Sequence, residues 1–257
     1  AVILKHASNV FGCALAIERI FHEAGLPAAL FRSVLIGSDQ VAELIEHPLI
    51  HGVTLTGSTQ AGRAVAARAG SVLKKTVLEL GGSDAYLVLE DADLEPTVEA
   101  CVASRLINGG QSCIAAKRFI VVEPVRKRFE ARLIELMRSR VMGDPLREDV
   151  TVGPMARVDL RDALHAQVRR SIAQGAVCVL GGAIPAGPGA FYPPTVLSDV
   201  RQGMAAFEEE TFGPVAAIIS AADEADAVRL ANASSFGLGA AVFTADPTRG
   251  ERIAGQL

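Results

Sequence analysis

Cys113 is the side chain with the clearest capacity for chemistry. It follows Asn108-Gly109-Gly110-Gln111-Ser112, a run of small and polar residues between a helical pattern and a strand pattern. A thiol in such a loop can be reached by a small molecule, the first requirement of a nucleophile. Cys13 and Cys101 fall within helical patterns and Cys178 within Val177-Cys178-Val179, so these three are expected to pack as small hydrophobes. Glu79 interrupts the apolar run Thr76-Val77-Leu78-Glu79-Leu80 just ahead of Gly81-Gly82. That is the carboxyl end of a strand pattern, where parallel α/β sheets place their ligand crevices. A carboxylate buried there would be costly to ionise and suited to general-base work, whereas an edge-strand or ion-paired glutamate would be purely structural. Thr56-Gly57-Ser58 joins a strand pattern to a helical one, where backbone N–H groups can approach a phosphate. It is neither a G-x-G-x-x-G nor a Walker A loop, and an ordinary turn is the simpler reading of those three residues alone.

Other chemistries are missing. There is no G-x-S-x-G elbow, which argues against a serine hydrolase of the α/β type. Pro48 separates His47 from His51 and spoils the helical face a zinc pair needs, so no metal site is expected. The chain has 25 basic and 29 acidic residues, a net charge of −4, with the basic residues dispersed, so neither nucleic acid nor an anionic membrane is an expected partner. Half the 257 residues are apolar, which excludes intrinsic disorder, and no apolar run reaches the ~18 residues of a membrane span. Four cysteines with no C-x-x-C spacing point to a reducing, cytoplasmic setting.

The elements that must hold these residues alternate between β-branched runs and amphipathic stretches. Strands are predicted at residues 2–4, 34–36, 53–55 and 76–80. Between them fall a helix with Val10, Ala14, Ile17 and Phe21 on one face, capped by Ser8 or Asn9 and stopped by Gly25-Leu26-Pro27, then a short helix from Asp39 and a small-residue helix through Arg68. This alternation predicts an α/β fold whose first part is a parallel sheet with helices on its faces. After Gly81-Gly82, strands are predicted at 85–89 and 118–122 around a helix over 94–107. A charged helix with Val125, Phe129, Leu133 and Met137 aligned follows, then one with Leu160, Leu164 and Val168. The Gly/Pro-rich run 181–194 precedes a last strand-helix-strand unit ending at 240–244. The chain opens directly into a strand and stops within a helical pattern at 251–257, so both ends read as cut.

Taken together, these residues resemble the aldehyde dehydrogenase superfamily. Glu79-Leu80-Gly81-Gly82 is similar to its general-base motif and Gly110-Gln111-Ser112-Cys113 to its nucleophile motif. Met142-Gly143-Asp144-Pro145 with Gly153-Pro154, then Tyr192-Pro193-Pro194-Thr195, Glu209-Glu210-Thr211-Phe212-Gly213-Pro214, and Asn232 with Phe236-Gly237-Leu238 follow the family pattern in order. Leu4-Lys5-His6-Ala7, residues 78–84 and Ala115-Ala116-Lys117-Arg118-Phe119 look most like bacterial succinate-semialdehyde dehydrogenases, although the position six before Cys113 is Ile107 rather than an arginine.

The resemblance implies a Rossmann-type nucleotide-binding portion at residues 1–81 and a cysteine-nucleophile portion at 82–257. It implies NAD(P)-dependent oxidation of an aldehyde, with succinate semialdehyde the expected substrate. Cys113 would be the nucleophile, forming a thiohemiacetal and then a thioester, and Glu79 would be the base that activates the hydrolytic water. Lys5 would hold the adenosine ribose, Thr56, Gly57 and Ser58 the pyrophosphate turn, Leu80 a backbone contact beside the nicotinamide, and Glu210 and Phe212 the nicotinamide ribose. Ser8 stands where strict NAD enzymes of the family often carry glutamate, so NADP is expected to be accepted, with Lys5 able to pair with its 2′-phosphate. Ala115 replaces the second cysteine that in some relatives forms an inhibitory disulfide. The resemblance places the family's oxyanion-hole asparagine before Lys5 and its oligomerisation strand after Leu257, and implies a homo-oligomer for the full-length protein. Two other readings stay open: a cysteine-dependent acyl transferase or hydrolase that needs no nucleotide, and a folded but inactive fragment.

Overall fold

The structure, a computed structural model, describes residues 1–257. The chain is α/β and divides into two compact units, Ala1–Leu80 and Gly81–Leu257.

In the first unit β1 (Val2–Leu4) leads through a 3-10 turn at Ser8–Val10 into α1 (Phe11–Glu23), then β2 (Phe31–Ser33), α2 (Val41–Glu46), β3 (Gly52–Thr56), α3 (Thr59–Ser71) and β4 (Lys75–Glu79). The expected continuous sheet resolves into two separate parallel pairs, β1 with β2 and β3 with β4. The second strand lies at Phe31–Ser33, three residues before the expected Val34–Ile36. Register with β1 selects it: Phe31 sits opposite Val2, while Val34 only extends the ladder by donating its N–H to the Leu4 carbonyl at 2.9 Å. Ser8 and Asn9 belong to the 3-10 turn and cap nothing; Val10 occupies the N-cap of α1. Cys13 is exposed on α1, against the expectation that it packs inside. The expected inward face of α1 is open as well: Ala14 is its one buried residue, and Ile17 and Phe21 are exposed.

The second unit carries β5 (Ala85–Val88), α4 (Leu94–Leu106), β6 (Arg118–Val122), α5 (Glu123–Arg138), α6 (Val158–Ala173), β7 (Val177–Leu180), β8 (Thr195–Ser198), α7 (Ala205–Glu208), β9 (Val215–Ala221), α8 (Glu224–Asn232), β10 (Ala240–Phe243) and α9 (Pro247–Ala254). Its six strands form one sheet in the order β10-β5-β6-β9-β8-β7, parallel except for the antiparallel edge strand β7. β6 is buried at every position, as a strand covered on both faces must be. α5 turns Val125, Phe129, Leu133 and Met137 inward at helical spacing, as the sequence predicts. The core cluster of buried side chains lies entirely within this unit. α9 ends at Ala254, where the Gly255 N–H donates to the Glu251 carbonyl, so the helix stops short of the predicted run to 257.

Candidate active site

α4 ends at Leu106, and the chain then passes through Asn108, Gly109 and Gly110 in the left-handed region, with φ of 50°, 62° and 79°. This reversal exists because of the residue types: asparagine tolerates positive φ and glycine is indifferent to it. Gly110 has a second constraint, since a Cβ there would lie 2.2 Å from the Gly213 carbonyl oxygen. The Asn108 amide donates to the Gln111 carbonyl at 3.1 Å, and the Gln111 side chain donates to the Asn108 carbonyl at 3.2 Å while accepting from the Ala156 N–H at 2.8 Å. Gln111 thereby pins the loop both to itself and to the segment before α6. Cys113 follows, half-buried, at the base of this loop. Cys101 is fully buried, where desolvation pushes its thiol far above the ordinary range, and Cys178 is half-buried on β7 with its thiol also raised by burial. Only Cys113 combines accessibility with a shaped loop.

Two buried cations hold that loop from beneath. The Arg105 guanidinium, wholly buried on α4, donates to the Gly110 carbonyl at 2.8 Å and to the Val215 carbonyl at 3.2 Å. The Lys117 ammonium, 1% exposed just before β6, donates to the carbonyls of Ser112, Cys113 and Ala115 at 3.1, 2.8 and 3.2 Å. Burial, reinforced for Lys117 by the neighbouring Arg105 charge, pulls both below their ordinary values, Lys117 to about 8. Lys117 Nζ lies 3.6 Å from Glu210 Oε1, and that same oxygen accepts the Gly82 N–H at 3.1 Å. Asp84, buried and with its pKa raised by desolvation, accepts the Gly239 N–H at 3.1 Å, and its carbonyl accepts the N–H groups of Lys117 and Arg118.

The Gly81-Gly82 pair explains itself here. A Cβ at Gly81 would lie 2.2 Å from Glu210 Oε2, and one at Gly82 would lie 2.9 Å from the Cys113 carbonyl. Glycine is required because the backbone packs directly on Glu210 and on the Cys113 loop. Within this second unit the structure therefore brings Cys113, Glu210 and the glycines of the Glu79-Leu80-Gly81-Gly82 run into one neighbourhood. Gln167 donates to the Glu209 carboxylate at 3.0 Å and to the Glu210 carbonyl at 3.1 Å, fixing the Glu210 loop against α6. Phe212 is 39% exposed on the same loop, not a core side chain.

The remaining predicted residues lie in the first unit. Glu79 closes β4 and is exposed, which favours the edge-strand reading over the buried carboxylate; β4 has β3 as its only neighbouring strand. Its backbone carbonyl accepts the Gly57 N–H at 2.9 Å, tying the β4 terminus to the turn after β3. Thr56 ends β3, and Ser58 caps α3 by accepting the Ala61 N–H at 3.2 Å. The N–H groups of the first turn of α3 have no intrahelical acceptor, as at any helix start, which suits a pyrophosphate. Gly62 on α3 lies directly under Leu80, whose Cδ2 would be 2.5 Å from an added Cβ. Lys5, half-buried, and Ser8, exposed, flank the end of β1 at the carboxyl edge of its strand pair. The polar turn, the open helix start and the lysine beyond β1 fit an anionic dinucleotide.

Sequence reasoning assigned no role to Arg105, Lys117, Gln111 or Asp84.

The chain matches the aldehyde dehydrogenase family over residues 1–257. It is 51% identical over 255 residues to the succinate semialdehyde dehydrogenase [NAD(P)+] Sad of Escherichia coli (99% of this chain, 55% of that protein), and 46% identical over 256 residues to a succinate-semialdehyde dehydrogenase [NADP(+)] of Deinococcus radiodurans (100% and 54%). It thus spans about half the length of the curated relatives it matches. Among solved structures, succinic semialdehyde dehydrogenase of Streptococcus pyogenes in complex with NADP+ superposes with a TM-score of 0.96 at 34% identity, covering 99% of this chain and 56% of that one. An aldehyde dehydrogenase of Mycobacterium tuberculosis complexed with NAD+ gives 0.96 at 34% identity, covering 100% and 54%. A family match along the whole chain establishes that it belongs to the aldehyde dehydrogenase family.

Proposed function

We propose that the protein carrying this chain oxidises succinate semialdehyde to the dicarboxylate with NADP or NAD as acceptor, through a covalent intermediate on Cys113. The single observation that carries the reading is the Cys113 loop: an accessible thiol on a backbone held rigidly from below by Arg105, Lys117 and Gln111. The 51% identity to an enzyme named for that substrate supports the choice of aldehyde.

Cys113 as thiolate forms the C–S bond to the aldehyde carbon, and the carbonyl electrons move onto oxygen to give a thiohemiacetal oxyanion. The Cys113 N–H donates to no acceptor within the chain and is free to meet that oxygen. A bound nicotinamide supplies the hydride acceptor that leaves a thioester on Cys113. Glu79 takes a proton from water, whose oxygen attacks the thioester carbon; the C–S bond breaks, the acid is released and the thiolate is restored. Glu210 and Phe212 hold the nicotinamide ribose, Leu80 the ring's edge, Thr56, Gly57 and Ser58 the pyrophosphate, and Lys5 the adenosine ribose. Ser8 leaves room for a 2′-phosphate beside Lys5, so NADP is accepted.

Aldehyde-dependent NAD(P)H formation by the full-length protein tests this. Cys113→Ala should lower kcat by about 10⁴-fold or more, and Glu79→Gln should accumulate a thioester on Cys113 visible by intact-mass spectrometry. Retained oxidation in Cys113→Ala would overturn the mechanism, and NADP turnover about a thousandfold below NAD would overturn the role of Ser8.

A further inference from the structure

The mechanism needs a thiol on a correctly placed backbone, yet beyond the Asn108–Gln111 turn the Cys113 loop has one backbone bond of its own, the Ala115 N–H donating to the Ser112 carbonyl at 3.2 Å. From Ser112 to Ala115 the side-chain hydrogen bonds to the backbone all come from Lys117, which donates to three of the four carbonyls in that stretch. Three donors is the full complement of an ammonium, and they converge on the segment that carries the nucleophile. On its open side the ammonium faces Glu210 Oε1, the oxygen already held by the Gly82 N–H.

We propose that Lys117 is a positioning residue that locks the Cys113 backbone to the Glu210 loop, so that the nucleophile and the residue assigned to the nicotinamide ribose share one buried cation. This inference rests on the proposed function for its meaning, but the lock itself does not depend on the substrate or nucleotide. The charged groups around Lys117 are Arg105, which repels it, and Glu210, Asp84 and Cys113, which attract it. Their balance with burial brings the ammonium to about 8, so the lock carries its charge at neutral pH and loses it on mild alkalinisation. A neutral amine keeps two N–H donors and loses its attraction to Glu210, so three carbonyls and a carboxylate can no longer all be served.

The test uses Lys117→Met and Lys117→Gln in the full-length protein, both close in length to lysine and unable to take a charge. Two ratios of wild type to variant are followed from about pH 6.5 to 9.5: kcat for aldehyde-dependent NAD(P)H formation, and the rate at which iodoacetamide alkylates Cys113, read peptide by peptide so that Cys13 does not interfere. The expected kcat ratio is about tenfold or more at pH 7, with the aldehyde KM changed far less, and it shrinks as pH rises through about 8. The alkylation ratio departs from one at pH 7 and returns toward one over the same range. A ratio that is flat with pH, or within about twofold of one at pH 7 in folded variants, overturns the inference; so does failure of both variants to fold, which would make Lys117 structural. If wild type forms no NAD(P)H, the dehydrogenase reading fails while the alkylation profile still decides the role of Lys117.

Discussion

Arg105 is the largest fully buried side chain in the molecule, and its guanidinium meets two backbone carbonyls and no carboxylate at contact distance. Burying a cation costs several kcal/mol unless hydrogen bonds repay it, so a position like this persists where the bonds serve something else. Here they tie the Gly110 carbonyl, in the nucleophile loop, to the start of β9. Arg105→Met keeps the volume and strips both carbonyls of their donor, at about 1–3 kcal/mol for each acceptor left bare, partly offset by removal of a desolvated charge. The expected outcome is a net destabilisation of about 2 kcal/mol by urea unfolding of the second unit, together with a broader range of Cys113 alkylation rates. Unchanged stability would mean that water replaces the guanidinium. Nothing in the sequence pattern distinguishes this arginine from a solvated residue near a helix end, because its partners are backbone atoms 5 and 110 residues away.

Among the elements, the segment from α4 to β6 carries Cys113, the proposed nucleophile, and its shape depends on Gly110. The positive φ of 79° and the 2.2 Å approach to the Gly213 carbonyl leave no space for a methyl group. Gly110→Ala should therefore destabilise the unit by more than the roughly 1 kcal/mol of a simple φ penalty and should lower kcat while leaving α4 and β6 formed by circular dichroism. Gly70, exposed in the last turn of α3, is the control: nothing lies within 4 Å of its notional Cβ and its φ is ordinary. Gly70→Ala should stabilise α3 by about 0.5–1 kcal/mol, read as slower amide exchange in that helix. An equal effect of the two substitutions would show that loop geometry at Gly110 is unimportant.

For the whole molecule, the two units differ in how they bury apolar surface. Every strand of the first unit has one neighbour, and Val2, Ile3, Leu15, Ile20, Phe21 and Val77 are exposed there, whereas the second unit holds the entire buried cluster around a six-stranded sheet. Local stability follows buried contacts and protected backbone hydrogen bonds. Hydrogen exchange followed by mass spectrometry should therefore find β6 and β9 the slowest segments and β1 to β4 about 100-fold faster or more. Comparable protection in both units would contradict this picture. No helix is long and apolar enough to cross a membrane.

Local patterning by itself determined the α/β class, the inward face of α5, the strands β5 and β6, and the turn after β3, because each depends on residues close in the chain; of the α6 face, Leu164 and Val168 are buried while Leu160 is exposed. The motif Glu79-Leu80-Gly81-Gly82 was legible for the same reason. The sequence could not show that β2 starts at Phe31 or that the first unit's strands form two separate pairs, since register is chosen by partners some 30 residues away. Burial depends on tertiary structure in the same way: Cys13 read as inward-facing and Glu79 was open between a buried and an edge position, and the fold exposes both. What tertiary structure alone decided is the support of the nucleophile, where Arg105, Lys117, Gln111 and Glu210 converge on one loop. Their partners are mostly backbone carbonyls and N–H groups, which every residue possesses and no residue type advertises.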